Sequence, residues 1–147
     1  MYAMFSHCHS LITLNLSSFD VTKVTDMSYM FNNCTKLKYL DISHFSPINM
    51  TSIHTMFQNL SSLIFLNIYS LEINTDAKVT NTLRYQKNDL KFCANKYNMK
   101  NFLSENNKIN NCSDICFQKN IKIDVINNKC INSCKDHGFN YECNNIC

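Results

Sequence analysis

Glycine, proline and tryptophan are almost missing from this chain, whose 147 residues include one glycine, one proline and no tryptophan. A single glycine excludes the glycine-rich loops that bind phosphate groups and the nucleophile turn of the α/β-hydrolases, because both need several glycines at fixed spacing. The acidic residues are scattered and form no recurring pair that could act in acid–base chemistry. We therefore expect no enzymatic activity, no cofactor and no metal site.

Long apolar runs and dense basic clusters are missing as well. No apolar stretch approaches the length of about 20 residues that a membrane-spanning helix needs. The net charge is only +3, and the basic residues are too dispersed to form a stripe that binds nucleic acid. The opening residues also lack the basic segment and apolar segment of a secretory signal peptide. We expect membrane association only through other parts of a longer protein.

What the first half of the chain does have is a repeated unit of 26 residues, present in three copies. Met-Phe pairs occur at residues 4–5, 30–31 and 56–57. We call residues at the same position of successive copies a column. The same step aligns three apolar columns: Leu11, Leu37 and Leu63; Leu14, Leu40 and Leu66; Leu16, Ile42 and Ile68. A period of 20 to 50 residues indicates a solenoid, in which stacked units share one core.

Each unit contains a strand signal followed by a turn signal. The pattern Leu-x-x-Leu-x-Leu predicts a short parallel strand with its leucines pointing inward. Phe19 and Phe45 follow this strand, and we expect them to form an internal aromatic spine. The segment 25–31 predicts a short helical turn that Thr25 caps, because Met27, Met30 and Phe31 fall on one helical face.

The segment LITLNLSSFDVTKVTDMSYMFNNCTKLKYLDISHF resembles the BspA-like leucine-rich repeats of microbial surface proteins. The resemblance implies an α/β leucine-rich-repeat solenoid over residues 1–80, built from short parallel strands and short helical turns. It also implies display at the cell surface. The third copy departs from the pattern, since Leu60 stands in the column of Cys8 and Cys34. The matching residues are Leu11, Leu14, Leu16, Phe19, Val24, Met27, Met30, Phe31, Cys34, Leu37 and Leu40.

Two further segments follow the repeats. We predict a linker or capping segment at residues 81–111, where Leu90, Cys93 and Tyr97 have the spacing of one helix face. Residues 112–147 are predicted to form a small irregular cysteine-rich module, truncated at its end. Because residues 1–5 align with residues 27–31, the chain opens inside a unit. We expect it to be a fragment of a longer secreted or cell-surface protein.

Cysteines are the main feature of the last segment, which has little apolar sequence for a core. They form three Cys-x-x-x-Cys pairs, and disulfides between them are expected in an oxidising compartment. Zinc ligation and reduced thiols remain alternatives. The spacing resembles cysteine-rich segments that follow BspA-like arrays in eukaryotic microbial surface proteins. Cys8 and Cys34, by contrast, are expected to pack as small apolar residues. The disulfide candidates are Cys93, Cys112, Cys116, Cys130, Cys134, Cys143 and Cys147.

The outward positions of the predicted strands provide a candidate binding face. Aromatic side chains there suit a protein interface, because they bury a large area at a low entropic cost. The alternative is that the cysteine-rich segment covers Phe65 and Tyr69. One outward column consists of Ile12, Lys38 and Ile64. The candidate binding residues are Lys38, Tyr39, Asp41, Ile64, Phe65, Asn67 and Tyr69.

These observations predict a non-enzymatic surface or secreted protein whose repeats serve adhesion or protein–protein recognition. The expected partner is a host protein, an extracellular-matrix protein or a neighbouring cell-surface component. A structural spacer or stalk within a larger surface protein is the alternative. A zinc-stabilised intracellular scaffold is a further one.

Overall fold

The computed structural model describes residues 1–86, 90–94, 110–111, 122–124 and 129–131. The chain divides into two units, Met1–Asn110 and Asn111–Cys147. A four-stranded sheet has the order β1-β2-β3-β4, and a separate two-stranded sheet in the second unit pairs β5 with β6 in antiparallel fashion. The strands are β1 (Tyr39–Asp41), β2 (Phe65–Asn67), β3 (Lys91–Cys93), β4 (Asn110–Asn111), β5 (Lys122–Asp124) and β6 (Lys129–Ile131).

Strands β1, β2 and β3 are parallel and follow the 26-residue period of the sequence. Tyr39 is paired with Phe65, and Phe65 in turn with Lys91. Equivalent positions of successive units therefore face each other across the sheet. We number the units repeat 1 (residues 1–26), repeat 2 (27–52), repeat 3 (53–78) and repeat 4 (from 79).

Repeat 4 lies in the segment that we predicted as a linker or cap, so the stacking continues past residue 80. Its strand β3 pairs with β2 in the same register as β2 with β1. Phe92 occupies the column of Leu40 and Leu66, and Ala94 that of Ile42 and Ile68. Both residues are buried. The 26-residue period is hard to see in repeat 4 of the sequence, because these columns stay buried although their residue types change.

The turns of successive repeats are joined by a second set of backbone hydrogen bonds. Ala3, Phe5 and His7 donate their N–H groups to the carbonyl groups of Ser28, Met30 and Asn32, at 2.9, 2.9 and 2.8 Å. The same pattern recurs one repeat later and then once more. The later donor–acceptor pairs are Tyr29–His54, Phe31–Met56, Asn33–Gln58, Thr55–Thr80, Phe57–Thr82 and Asn59–Arg84.

No helix forms in the described residues, and the predicted helical turn at 25–31 consists of tight turns instead. The backbone of Tyr29 is left-handed, with φ of 60°, which ends any right-handed helix. Tyr29 and Phe31 donate their N–H groups to the carbonyl groups of His54 and Met56 in the next repeat. The N–H of Met30 donates to the carbonyl of Met27, three residues earlier, as in a tight turn. Met27, Met30 and Phe31 nevertheless point inward as predicted. No helix among the described residues is long and apolar enough to cross a membrane.

The left-handed positions form two columns, and neither contains a glycine. Non-glycine residues rarely adopt this conformation, although asparagine accepts it more readily than most. Each column therefore stores some strain that the stacked hydrogen bonds offset. The columns are Ala3, Tyr29, Thr55 and Asn81, and His7, Asn33, Asn59 and Tyr85.

The core of the repeats contains a stack of phenylalanine rings from the Met-Phe pairs. Phe5 and Phe31 are parallel at 5.6 Å between ring centroids, and Phe31 and Phe57 are parallel at 6.2 Å. This aromatic stack differs from the one we predicted. Phe45 is buried, but Phe19 is only partly buried and makes a tilted contact with Phe5. The aligned rings therefore come from the Met-Phe pairs in the turns, and not from the phenylalanines that follow the strands.

Candidate functional site

Three residues of one column form a continuous row at the start of the strands. Lys38 donates its N–H to the carbonyl of Ile12 at 3.1 Å, and Ile64 donates to the carbonyl of Lys38 at 2.8 Å. The side chains of Ile12 and Ile64 are 51% and 37% exposed, and Lys38 is exposed between them. We call Ile12, Lys38 and Ile64 the exposed row. Backbone hydrogen bonds hold it in place, so a partner would meet a largely pre-ordered surface.

Tyr39 extends the exposed row onto the outward face of the sheet. It follows Lys38 directly, and its side chain is 37% exposed. The same column is exposed one repeat earlier, at Thr13. The outward face is therefore open at Thr13 and Tyr39, in repeats 1 and 2, and the adjoining exposed row adds two isoleucines and a lysine. Such groups provide both apolar area and a charge for recognition.

One repeat further on, the outward face is covered, which corrects part of the predicted binding site. The prediction that Phe65 and Asn67 are exposed is wrong, because both side chains are 0% exposed. Strand β2 is central in the sheet, with Tyr39 on one side of Phe65 and Lys91 on the other. An array of three repeats would leave β2 at the edge of the sheet, whereas repeat 4 adds β3 beside it.

The polar column Asn15, Asp41 and Asn67 serves the fold rather than a partner. In each repeat, the side-chain oxygen Oδ1 accepts a hydrogen bond from the N–H two residues later. The donors are Ser17 at 3.0 Å, Ser43 at 2.9 Å and Tyr69 at 3.1 Å. These contacts turn the chain out of the strand. Asp41 and Tyr69 are half-buried, so they lie at the margin of the open face.

Cysteine and histidine residues form no metal centre in the part of the chain that the structure describes, where no group of three or more potential ligands occurs. Cys93 is buried and disulfide-bonded. Cys130 lies in β6. The other disulfide candidates, Cys112, Cys116, Cys134, Cys143 and Cys147, lie outside the described residues. Cys8 and Cys34 are free thiols.

Sequence reasoning missed two features of the site. Lys91 continues the column of Tyr39 and Phe65 in the sheet, and its distance of 26 residues from Phe65 was the available signal. The second feature is Gln86, which stands in the column of Cys34 and Leu60. Its side-chain amide donates to the carbonyl of Phe57, as the Cys34 thiol donates to that of Phe5 at 3.0 Å.

The part of the chain that contains the repeats matches a family model. A family model described as "Mycoplasma protein of unknown function, DUF285" matches residues 1–97. This range includes the four repeats as far as β3. No curated protein matches the chain, and no solved structure does.

Proposed function

The chain belongs to the DUF285 family, and we propose that its repeats form a BspA-like leucine-rich-repeat solenoid that recognises a protein partner. In this proposal the chain is a non-enzymatic adhesion or recognition module of a cell-surface or secreted protein. The exposed row and Tyr39 are the contact surface. Parallel strands in 26-residue register support the solenoid part of the proposal.

The observation that carries the proposal is the exposure of apolar side chains on an ordered backbone. The repeats bury their other apolar columns almost completely in repeats 2 and 3, yet Ile64 and Tyr39 are both 37% exposed. Clustered apolar exposure on an otherwise well-packed surface marks an interaction site more often than scattered exposure does. Because hydrogen bonds already fix the row, little backbone entropy would be lost on binding.

The side chains of the exposed row and of Tyr39 indicate the kind of partner. Two isoleucines and a tyrosine require an apolar surface, and Lys38 between them suits a carboxylate or carbonyl group. A host protein, an extracellular-matrix protein or a neighbouring surface protein offers this combination. The disulfide of Cys93 supports an oxidising location, which agrees with a surface or secreted protein.

A binding experiment tests this proposal. The full chain is immobilised and exposed to collagen, laminin, fibronectin and purified surface proteins of the cells that produce it. We expect at least one to bind, and we expect Ile64→Ser and Tyr39→Ala each to weaken that binding about tenfold, as truncation of a central interface residue does. Ile48→Ser is the matched control, because Ile48 is 72% exposed but lies outside the row. Equal binding by all three variants would reject the site.

The alternative function is a structural spacer, and one observation favours it. In repeat 3 the outward face is covered at Phe65 and Asn67, which leaves a small area for a partner. A spacer would bind no protein of the panel, while the repeats would still unfold cooperatively. Zinc analysis and thiol counting of the full chain separate both from a zinc-stabilised intracellular scaffold, which would contain bound zinc and no disulfide.

A further inference from the structure

Two free thiols lie in adjacent repeats at the same position of the unit. Cys8 belongs to repeat 1 and Cys34 to repeat 2, and both are reduced. The backbone next to them is hydrogen-bonded between the repeats, because the His7 N–H donates to the carbonyl of Asn32 at 2.8 Å. Chain segments joined in this way lie about 4.8 Å apart. A disulfide spans about 4.4–6.8 Å between Cα atoms, so this spacing allows one.

The thiol of Cys34 packs against the turn that carries Cys8. It donates to the carbonyl of Phe5 at 3.0 Å, and the backbone of Cys8 hydrogen bonds to the Cys34 sulfur. The N–H of Cys8 also donates to Phe5, at 3.2 Å. The Cys34 thiol therefore packs against the backbone of the turn that contains Cys8.

The two thiols differ in their access to solvent. Cys34 is 0% exposed, whereas Cys8 is half-buried and lines a shallow surface depression with His7, His9, Ser10 and Leu11. A dissolved reagent therefore reaches Cys8 and not Cys34. Any reaction with an external disulfide begins at the accessible thiol and ends at the buried one.

We propose that Cys8 and Cys34 are a modification site, at which a small-molecule disulfide reversibly links repeat 1 to repeat 2. The Cys8 thiolate attacks the small disulfide, forms a mixed disulfide and releases one small thiol. The Cys34 thiolate then attacks the Cys8 sulfur and displaces the second small thiol. Two protein thiols are oxidised and one small disulfide is reduced to two thiols, which take up the two protons.

The burial of Cys34 sets the rate of the second step. Loss of solvation raises the pKa of the Cys34 thiol to about 11, so little thiolate is present at neutral pH. The link therefore closes slowly near neutrality and faster in alkaline solution. Once formed, it would hold repeat 1, whose Met4 is 53% exposed while the equivalent Met30 is 0% exposed. Repeat 1 should therefore open locally less often in the oxidised chain than in the reduced chain.

Oxidation of the full chain by oxidised glutathione, followed by digestion and mass spectrometry, tests the proposal. At about pH 8.5, where more of the Cys34 thiol is ionised than at neutral pH, we expect a cross-linked peptide containing Cys8 and Cys34. Its mass should be about two units below that of the two reduced peptides. In Cys34→Ser, glutathione should instead remain attached to Cys8, and in Cys8→Ser the remaining Cys34 should not react.

Two results would overturn the proposal. One is wild-type chain that retains glutathione on Cys8 while Cys34 stays a free thiol. The other is wild-type chain in which neither cysteine reacts. As a second measurement, the cross-link should raise the unfolding midpoint by about 5 °C or more, and dithiothreitol should reverse this shift. The Cys34→Ser chain, treated in parallel, should show no comparable rise. An equal rise in both chains would also contradict the proposal.

Discussion

Replacement of Phe31 by alanine tests the packing of the repeats most severely. Phe31 is 0% exposed, and it stacks between Phe5 and Phe57 at 5.6 and 6.2 Å. Its N–H also joins repeat 2 to repeat 3. Phe31→Ala therefore leaves a cavity at the centre of the ring stack and keeps the backbone hydrogen bonds. No other phenylalanine of the described residues has a parallel ring on both sides.

The size of the effect follows from the buried area and the two ring contacts. A buried aromatic side chain removes about 150–250 Å² from water, which at about 25 cal/mol per Å² corresponds to about 4–6 kcal/mol. Measured phenylalanine-to-alanine changes in cores cost about 3–5 kcal/mol. We expect Phe31→Ala to lower the free energy of unfolding by about 4 kcal/mol, a large share of the usual total of about 5–15 kcal/mol.

Phe5→Ala is the matched comparison, because Phe5 lies at the end of the same stack. It has one parallel neighbour instead of two and is only partly buried. We expect this change to cost about 2 kcal/mol, roughly half the loss at Phe31. Phe31→Leu, which fills most of the cavity, should cost less than Phe31→Ala.

Urea unfolding followed by circular dichroism, with the disulfide of Cys93 intact, measures these losses. The slope of free energy against urea must agree among the variants for the comparison to hold. Phe31→Ala that costs no more than Phe5→Ala would refute the reasoning. It would mean that the aligned rings do not form the centre of the core.

Three further predictions concern single residues. Asn59→Ala should destabilise the chain by about 2 kcal/mol in urea unfolding, because Asn59 has φ of 56° and its side-chain amide donates to Asn33. Asn59→Gly should destabilise the chain less, since glycine adopts the left-handed backbone without strain. An equal loss of stability in both variants would contradict the role of the left-handed backbone. Burial raises the pKa of Cys34 from 9.0 to about 11, so the unfolded chain loses this proton first and the free energy of unfolding should fall as pH rises from 9.0 toward 11. Cys34→Ser should reduce that fall, and an unchanged pH profile would count against the burial of the thiol. Asn67→Ala should lower the free energy of unfolding, measured by thermal unfolding, by about 1 kcal/mol, because it removes the hydrogen bond from the Tyr69 N–H. A variant that keeps its stability but binds a partner differently would instead assign Asn67 to the interface.

The 26-residue period made the register of the sheet predictable. Leu40 and Leu66 occupy one column of the sequence and are Cα partners in β1 and β2. A column that keeps its residue type reports its burial directly. Phe92 and Ala94 fill the columns of Leu66 and Ile68 in repeat 4 with other residue types, so the sequence pattern fades near residue 80 although the stacking continues.

Two properties could not be read from the sequence because they depend on distant contacts. The spacing of Met27, Met30 and Phe31 fits a helix face, yet it equally fits successive tight turns whose N–H groups bond to another repeat. Whether an outward position is open depends on what packs over it. Tyr39 and Phe65 occupy one column, and Tyr39 is 37% exposed while Phe65 is 0% exposed.

Backbone hydrogen bonds stack each turn on the turn of the next repeat. Scalar coupling across hydrogen bonds, measured by nuclear magnetic resonance on labelled chain, tests it directly. We expect coupling from the Phe31 amide nitrogen to the Met56 carbonyl carbon, and from the Asn33 amide nitrogen to the Gln58 carbonyl carbon, because both N···O distances are 3.0 Å. Coupling of these amides to carbonyl groups about four residues earlier, as in a helix, would contradict the account.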